Sequence, residues 1–199
     1  MTAQSLNAEP WRATFQGCQE NDYSSQRNSV TQVPQIGCTD GAICICGVDP
    51  GQTGAISFYF PAYPERIAVD DMPLVDKRVD VANLAARIKQ MAPDIAVVES
   101  VAAMPGQGVS SSFRFGVAFG EVIGVLGALQ IPVHLVSPVR WKKHFRPDSY
   151  KEKSRAEALR TWPSRHELFA RKKDHGRSEA CLIAKFGAET LPQFKGRGA

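Results

Sequence analysis

The chain has 199 residues, of which 43% are hydrophobic and 22% charged, with a formal net charge of +4. That is enough chain to bury a substantial core in one domain, and the composition is ordinary for a soluble globular protein. A membrane span is not expected, because the longest apolar region, Phe115 to Leu129, is interrupted by Glu121 and holds four glycines. The five cysteines, at 18, 38, 44, 46 and 181, follow no metal spacing. Cys44 and Cys46 alternate with isoleucine in a strand pattern and are too close to form a relaxed disulfide, so a reducing compartment fits best.

Charge is distributed unevenly. Residues 1–40 carry two arginines against four acids, which leaves 22 Lys/Arg and 16 Asp/Glu for the remainder. Within 140–177 there are thirteen Lys/Arg against five acids, a balance suited to a polyanionic partner, although solvated helix faces produce similar runs.

Residues 1–40 are rich in Gln, Asn, Ser and Thr without a sustained period and read as a disordered tail. With only Arg12 and Arg27 and no apolar stretch, the tail has the character of neither a transit peptide nor a secretory signal; the expected location is the cytoplasm, near the nucleoid. A strand at 43–48 leads through Pro50-Gly51-Gln52-Thr53-Gly54 into a second at 55–60, and a third follows at 66–70. Asp80 caps a helix to about Met91, with Val81, Leu84, Ala85 and Ile88 on one face, and Pro93 ends it. A strand at 94–99 and a glycine-containing loop lead to a long helix capped by Ser110 or Ser111. The helix runs to about Leu129, with Gly116, Gly120, Gly124 and Gly127 at 4, 4 and 3 spacing. Each such glycine costs about 1 kcal/mol relative to alanine, so close approach of another backbone is expected, either the chain's own sheet or a second subunit. A strand at 132–136 and helices near 138–145, 151–161 and 175–187 complete an α/β order, which predicts a mixed five-stranded sheet flanked by helices on both faces. The expected domain is 41–190, with 191–199 as a C-terminal tail.

Asp49 and Glu99 each end a short apolar, β-branched run, Ile43 to Asp49 and Asp94 to Glu99. Sites in α/β sheets gather at the carboxyl ends of such strands, and a third acidic cluster, Asp174-His175-Gly176-Arg177-Ser178-Glu179, opens the last helix. Three acidic elements converging in this way suit divalent cations.

These residues resemble those of the RuvC-type Holliday-junction resolvases of the ribonuclease H-like superfamily, and look most like the phage-related and chloroplast branch. The likeness covers about 43–187. It is carried by Gly47-Val48-Asp49-Pro50-Gly51-Gln52-Thr53-Gly54-Ala55, Val97-Val98-Glu99-Ser100-Val101, the glycine helix from Phe115 to Val122, Ser137-Pro138-Val139-Arg140-Trp141-Lys142-Lys143, and Lys172 through Ala180. It implies a ribonuclease H-like fold and a crossover junction endodeoxyribonuclease of recombination and repair, a homodimer acting on four-way DNA junctions with two Mg²⁺ per site, or Mn²⁺ in their place. It further implies Asp49 as bridging ligand, Glu99 and Asp174 as single-metal ligands and Glu179 as a fourth. His175 would move a proton, and Arg140, Lys142, Lys143, Lys172, Lys173 and Arg177 would hold phosphates.

The chain departs from the family pattern in two places. Well-known bacterial members set two Asp three apart at the last helix, whereas Asp174 and Glu179 are five apart, roughly 140° around a helix, so Asp174 is expected at or before the cap. Those members also carry a Phe three residues after the catalytic Glu that wedges into the junction. Ala102 stands there in this chain, and Met104 is the nearest substitute. Competing readings are a ribonuclease H acting on RNA–DNA hybrids and a non-catalytic nucleic-acid-binding domain. An actin-like kinase shares the Asp49 to Gly54 turn but needs a second domain.

Overall fold

Alternation of residues along the central strands builds two apolar layers, one on each face of a single sheet. The computed structural model describes residues 42–100, 108–145 and 151–194; the polar stretch 1–40 and Met104 lie outside them. The strands are β1 (Ile45–Asp49), β2 (Ala55–Tyr59), β3 (Ile67–Asp71), β4 (Leu74–Val75), β5 (Arg78–Val79), β6 (Ile95–Glu99) and β7 (Val133–Val136). The helices are α1 (Val81–Met91), α2 (Val109–Ala128), α3 (Pro138–Phe145), α4 (Lys151–Thr161) and α5 (His175–Thr190). Five strands form one sheet in the order β3-β2-β1-β6-β7; β1 pairs antiparallel with β2 and parallel with β6. This is the expected mixed five-stranded α/β architecture.

On one face, Ile45, Ala55, Val97 and their neighbours bury against α5 and the aromatic cluster Trp141, Trp162, Phe169 and Phe186. On the other, Cys44, Cys46, Val48, Ile56, Phe58 and Val98 pack against α1 and α2. Cys44 and Cys46 therefore share a face, as their spacing required, and both are buried. Trp162 is held by an indole hydrogen bond of 2.8 Å to the Pro64 carbonyl and meets Tyr59 edge-on. Removing such a fully buried ring typically costs about 3–5 kcal/mol.

Gly47 positions α5. A Cβ there would lie 2.2 Å from the Ala180 carbonyl oxygen and 2.6 Å from the Ala184 nitrogen, so only glycine lets the helix backbone rest on β1. Ser57 fastens the same contact from β2, donating its hydroxyl to the Ala180 carbonyl at 2.8 Å.

Several boundaries differ from the sequence expectation. Asp80 caps α1 as anticipated, accepting from the Asn83 amide at 3.1 Å, but the helix stops through Ala92 in the left-handed region, one residue ahead of Pro93. The N-cap of α2 is Gly108, not Ser110 or Ser111; the helix begins earlier and its serines lie inside the first turn. The β4–β5 hairpin was not anticipated. Its turn, Asp76-Lys77, has positive φ at both residues (48° and 62°) without the glycine or asparagine that signals such a turn. Leu191 is buried and Phe194 packs against the core, so the folded body continues through 194.

Of the two partners expected for the α2 glycines, the chain's own sheet is not the one they approach. A Cβ on Gly116, Gly120, Gly124 or Gly127 would meet nothing within 4 Å among the described residues. The helix turns Ala118, Val122, Val125 and Leu126 to the core instead, and the glycines fall on its other side. By length and composition alone α2 is apolar enough to cross a membrane; here it packs against α1 and one edge of the sheet.

Candidate metal centre

Asp49 and Glu99 end neighbouring parallel strands in register, one step beyond the Val48–Val98 pair. Because Val48 and Val98 turn to the α1/α2 layer, the next residue on each strand faces α5. Glu179, in the second turn of α5, completes the group: one carboxylate oxygen from each of Asp49, Glu99 and Glu179 lies within 4.8 Å of the others. Glu99 and Glu179 are each only 7% exposed. Three converging carboxylates in a partly desolvated site repel one another, and a divalent cation is what such an oxygen donor set suits. This triad can coordinate a divalent metal.

Helix α3 braces two of the three ligands. The indole of Trp141, fully buried, donates to Glu99 Oε1 at 2.8 Å. Lys142 Nζ lies 3.2 Å from Glu179 Oε1 and over the Trp141 ring at 5.0 Å. Ser154 from α4 adds a hydroxyl donor to Glu179 at 3.1 Å. Burial pushes the Glu99 carboxyl above its ordinary value; the Trp141 N–H opposes the shift, Glu179 reinforces it and Lys142 opposes it.

Asp174 does not join the triad. It occupies the N-cap position of α5, where its spacing from Glu179 placed it, and its carboxylate turns back to Arg171. It accepts from the Arg171 amide at 2.8 Å and from the guanidinium at 2.8 and 3.1 Å. Burial pushes its carboxyl up, but the hydrogen bonds from Arg171 outweigh that and hold it low. Gly176 seats this end of the helix on the Asp49–Gly54 turn: a Cβ there would be 2.3 Å from the Thr53 carbonyl oxygen.

The triad opens into a cleft of about 380 Å³ whose lining includes Asp49, Gln52, Ser111, Arg114, His175 and Glu179. His175 thus lies beside the triad, one helical turn before Glu179. Of the expected phosphate-binding residues, Lys143, Lys172, Lys173 and Arg140 are exposed, with the Arg140 guanidinium 5.8 Å above the Phe186 ring. Lys142 is engaged by Glu179, and Arg177 makes a bidentate pair with Asp71 at 2.6 and 2.8 Å. Trp141 as a ligand brace, Arg171, Ser111 and Arg114 were not singled out from sequence. The available signal for the last two was their 3-residue spacing at the start of α2, after the loop that follows Glu99.

No protein-family model matches this sequence, and no curated protein matches it. Among solved structures, the chain is similar to Thermus thermophilus RuvC in complex with a Holliday junction substrate, with a TM-score of 0.55 at 16% identity, over 73% of this chain and 93% of that one. It is also similar to a second Thermus thermophilus RuvC structure, with a TM-score of 0.50 at 15% identity, over 73% and 95%. At these identities the likeness is one of fold: the chain has a ribonuclease H-like α/β fold with an acidic triad at the carboxyl ends of its central strands.

Proposed function

We propose that this protein is a metal-dependent endodeoxyribonuclease that cleaves four-way DNA junctions as a two-fold homodimer. The observation that carries the reading is the Asp49, Glu99 and Glu179 triad at the carboxyl ends of β1 and β6, on a fold shared with a resolvase seen in complex with a Holliday junction.

In this reading the three carboxylates hold Mg²⁺, two ions per site, with Mn²⁺ able to substitute. When bound, the metal supplies Lewis-acid activation of water and stabilisation of the departing 3′ oxygen. Trp141, Lys142 and Ser154 keep Glu99 and Glu179 turned toward the cleft. His175 accepts the proton of the attacking water as its oxygen bonds to phosphorus and the P–O3′ bond breaks, leaving a 5′ phosphate and a 3′ oxygen that takes a proton from solvent to become the 3′ hydroxyl. Arg140, Lys143, Lys172 and Lys173 hold backbone phosphates, a sequence-blind and salt-sensitive task. Lys142, now beside Glu179, would be available to hold a phosphate if a bound metal offset the carboxylate charge. Asp174 serves by fixing the start of α5 through Arg171.

Dimerisation is supported by α2. Val109, 86% exposed, lies on the same side as the four open glycines. That face can receive the equivalent helix of a second copy, and a two-fold pair carries two sites for two symmetric cuts. The deciding experiment compares cleavage of a synthetic four-way junction, a linear duplex and an RNA–DNA hybrid in Mg²⁺. Preference for the junction with paired nicks is the expected result. Preference for the hybrid makes the protein a ribonuclease H, and binding without cleavage of any substrate makes it a non-catalytic binder.

A further inference from the structure

A second cavity continues from the triad cleft along α2. It has a volume of about 310 Å³ and lies between the β4–β5 hairpin and the first turns of α2, with Gln52 and Arg114 lining both spaces. Lys77, Arg78, Phe113 and Glu121 form much of its remaining wall.

The walls are fixed in place. Gln52, from the turn that follows Asp49, donates its side-chain amide to the Lys77 carbonyl. Arg78 pairs with Glu121 through Nε at 2.9 Å, and the other Glu121 oxygen accepts from the Val79 amide at 3.2 Å. Glu121 is thereby neutralised. Lys77 and Arg114 face the groove with no carboxylate partner among the described residues, and the nearest acid on the turn is Asp76, its other corner. Both turn residues are held in the left-handed region, at φ of 48° and 62°, where lysine rarely sits. Sequence composition does not ask for that turn; its consequence is to present a lysine at the groove's edge. The same groove is also lined by an apolar ring, Phe113, 72% exposed.

A basic groove that also carries an exposed ring, continuous with a carboxylate centre, has the chemistry of a subsite for an unstacked nucleic-acid strand. We propose that the strand engaged at the triad runs on through this groove, with Arg114 on the phosphate next to the reacting one, a base against Phe113, and Lys77 on the phosphate beyond. The assignment rests on the proposed nuclease reading and adds to it the path of the strand and three residues that hold it.

The test uses the full-length protein and a fluorescein-labelled synthetic four-way junction, with affinity measured by anisotropy in EDTA over a KCl series. Lys77→Ala and Arg114→Ala are each expected to lower the slope of log Kd against log salt by about one, the loss of one phosphate contact. Lys89→Ala, on the exposed face of α1, leaves the slope unchanged. Phe113→Trp, read against wild type, is expected to show indole quenching on addition of the junction; Phe113→Ala weakens binding several-fold without altering the salt slope. Wild-type slopes for both cation variants, with unchanged melting temperatures and no quenching at position 113, overturn the groove while leaving the nuclease reading intact. A wild-type protein that binds no junction in 50 mM KCl, a low-salt condition chosen to favour phosphate contacts, overturns both.

Discussion

The indole N–H of Trp141 donates to Glu99 Oε1 at 2.8 Å from a fully buried ring, so a helix outside the acidic motifs fixes one of the three carboxylates. Hydrogen bonds behind a ligand commonly change metal affinity about 10- to 100-fold. Trp141→Phe keeps most of the ring and removes the donor. Calorimetric titration with Mg²⁺ or Mn²⁺ is expected to show affinity reduced by that order, with the fold retained by circular dichroism. Unchanged affinity would mean that Glu99 is held by packing alone.

Asp49→Asn and Glu99→Gln each remove a ligand charge. Loss of about 4 kcal/mol in the barrier corresponds to roughly a thousandfold in the single-turnover rate, while junction affinity in EDTA stays within a few-fold because the phosphate contacts remain. Near wild-type cleavage by both variants in Mg²⁺ would remove the triad from the chemistry.

Glu179 and Asp174 separate by readout. Glu179→Gln should abolish metal binding at little cost in stability, since it relieves repulsion with Glu99. Asp174→Asn removes the charge and one of the two oxygens that accept from the Arg171 guanidinium and amide, and should lower the melting temperature while metal still binds. If Asp174→Asn loses metal with its melting temperature intact, the ligand set must include Asp174, as the sequence resemblance implied.

The pH dependence of stability has opposite signs at these two sites. Glu99 is raised by burial, so its contribution in the metal-free protein is fully present below the ordinary carboxylate range and lost as pH rises through its folded value. Asp71 and Asp174 are held low, by Arg177 and Arg171 respectively, so theirs is present above that range and lost as pH falls through their folded values. In EDTA, Glu99→Gln should flatten the decline in melting temperature above the ordinary carboxylate range, and Asp174→Asn the decline on acidification. Metal affinity should fall as pH drops through the raised Glu99 value, because the ligand must be ionised.

Glycine substitutions distinguish a packed from an open position. Gly47→Ala drives a methyl to 2.2 Å from the Ala180 carbonyl and should destabilise the fold by roughly 1–3 kcal/mol or more in urea denaturation. At Gly120 a Cβ meets nothing within 4 Å among the described residues, so Gly120→Leu should leave the monomer's stability unchanged or improved while abolishing the dimer in sedimentation velocity. A Gly120→Leu protein that remains dimeric would place the subunit contact elsewhere.

Local pattern was sufficient for much of this molecule. Short β-branched runs defined the central strands, period and capping residues defined the helices, and the strand-end positions of Asp49 and Glu99 marked two members of the acidic triad, because the number of ways to bury those runs is small. Three features were set only by tertiary packing. Glu179 rather than Asp174 meets the strand-end carboxylates, because the Gly47 and Gly176 contacts fix the depth and rotation of α5 while Arg171 draws Asp174 away. The glycines of α2 face outward, because the helix buries its larger side chains, and spacing alone does not say which side faces the sheet. The Asp76-Lys77 hairpin has only a weak local signal, since Asp76 tolerates the left-handed region but Lys77 does not favour it; Gln52 from one side and Glu121 from the other hold the turn.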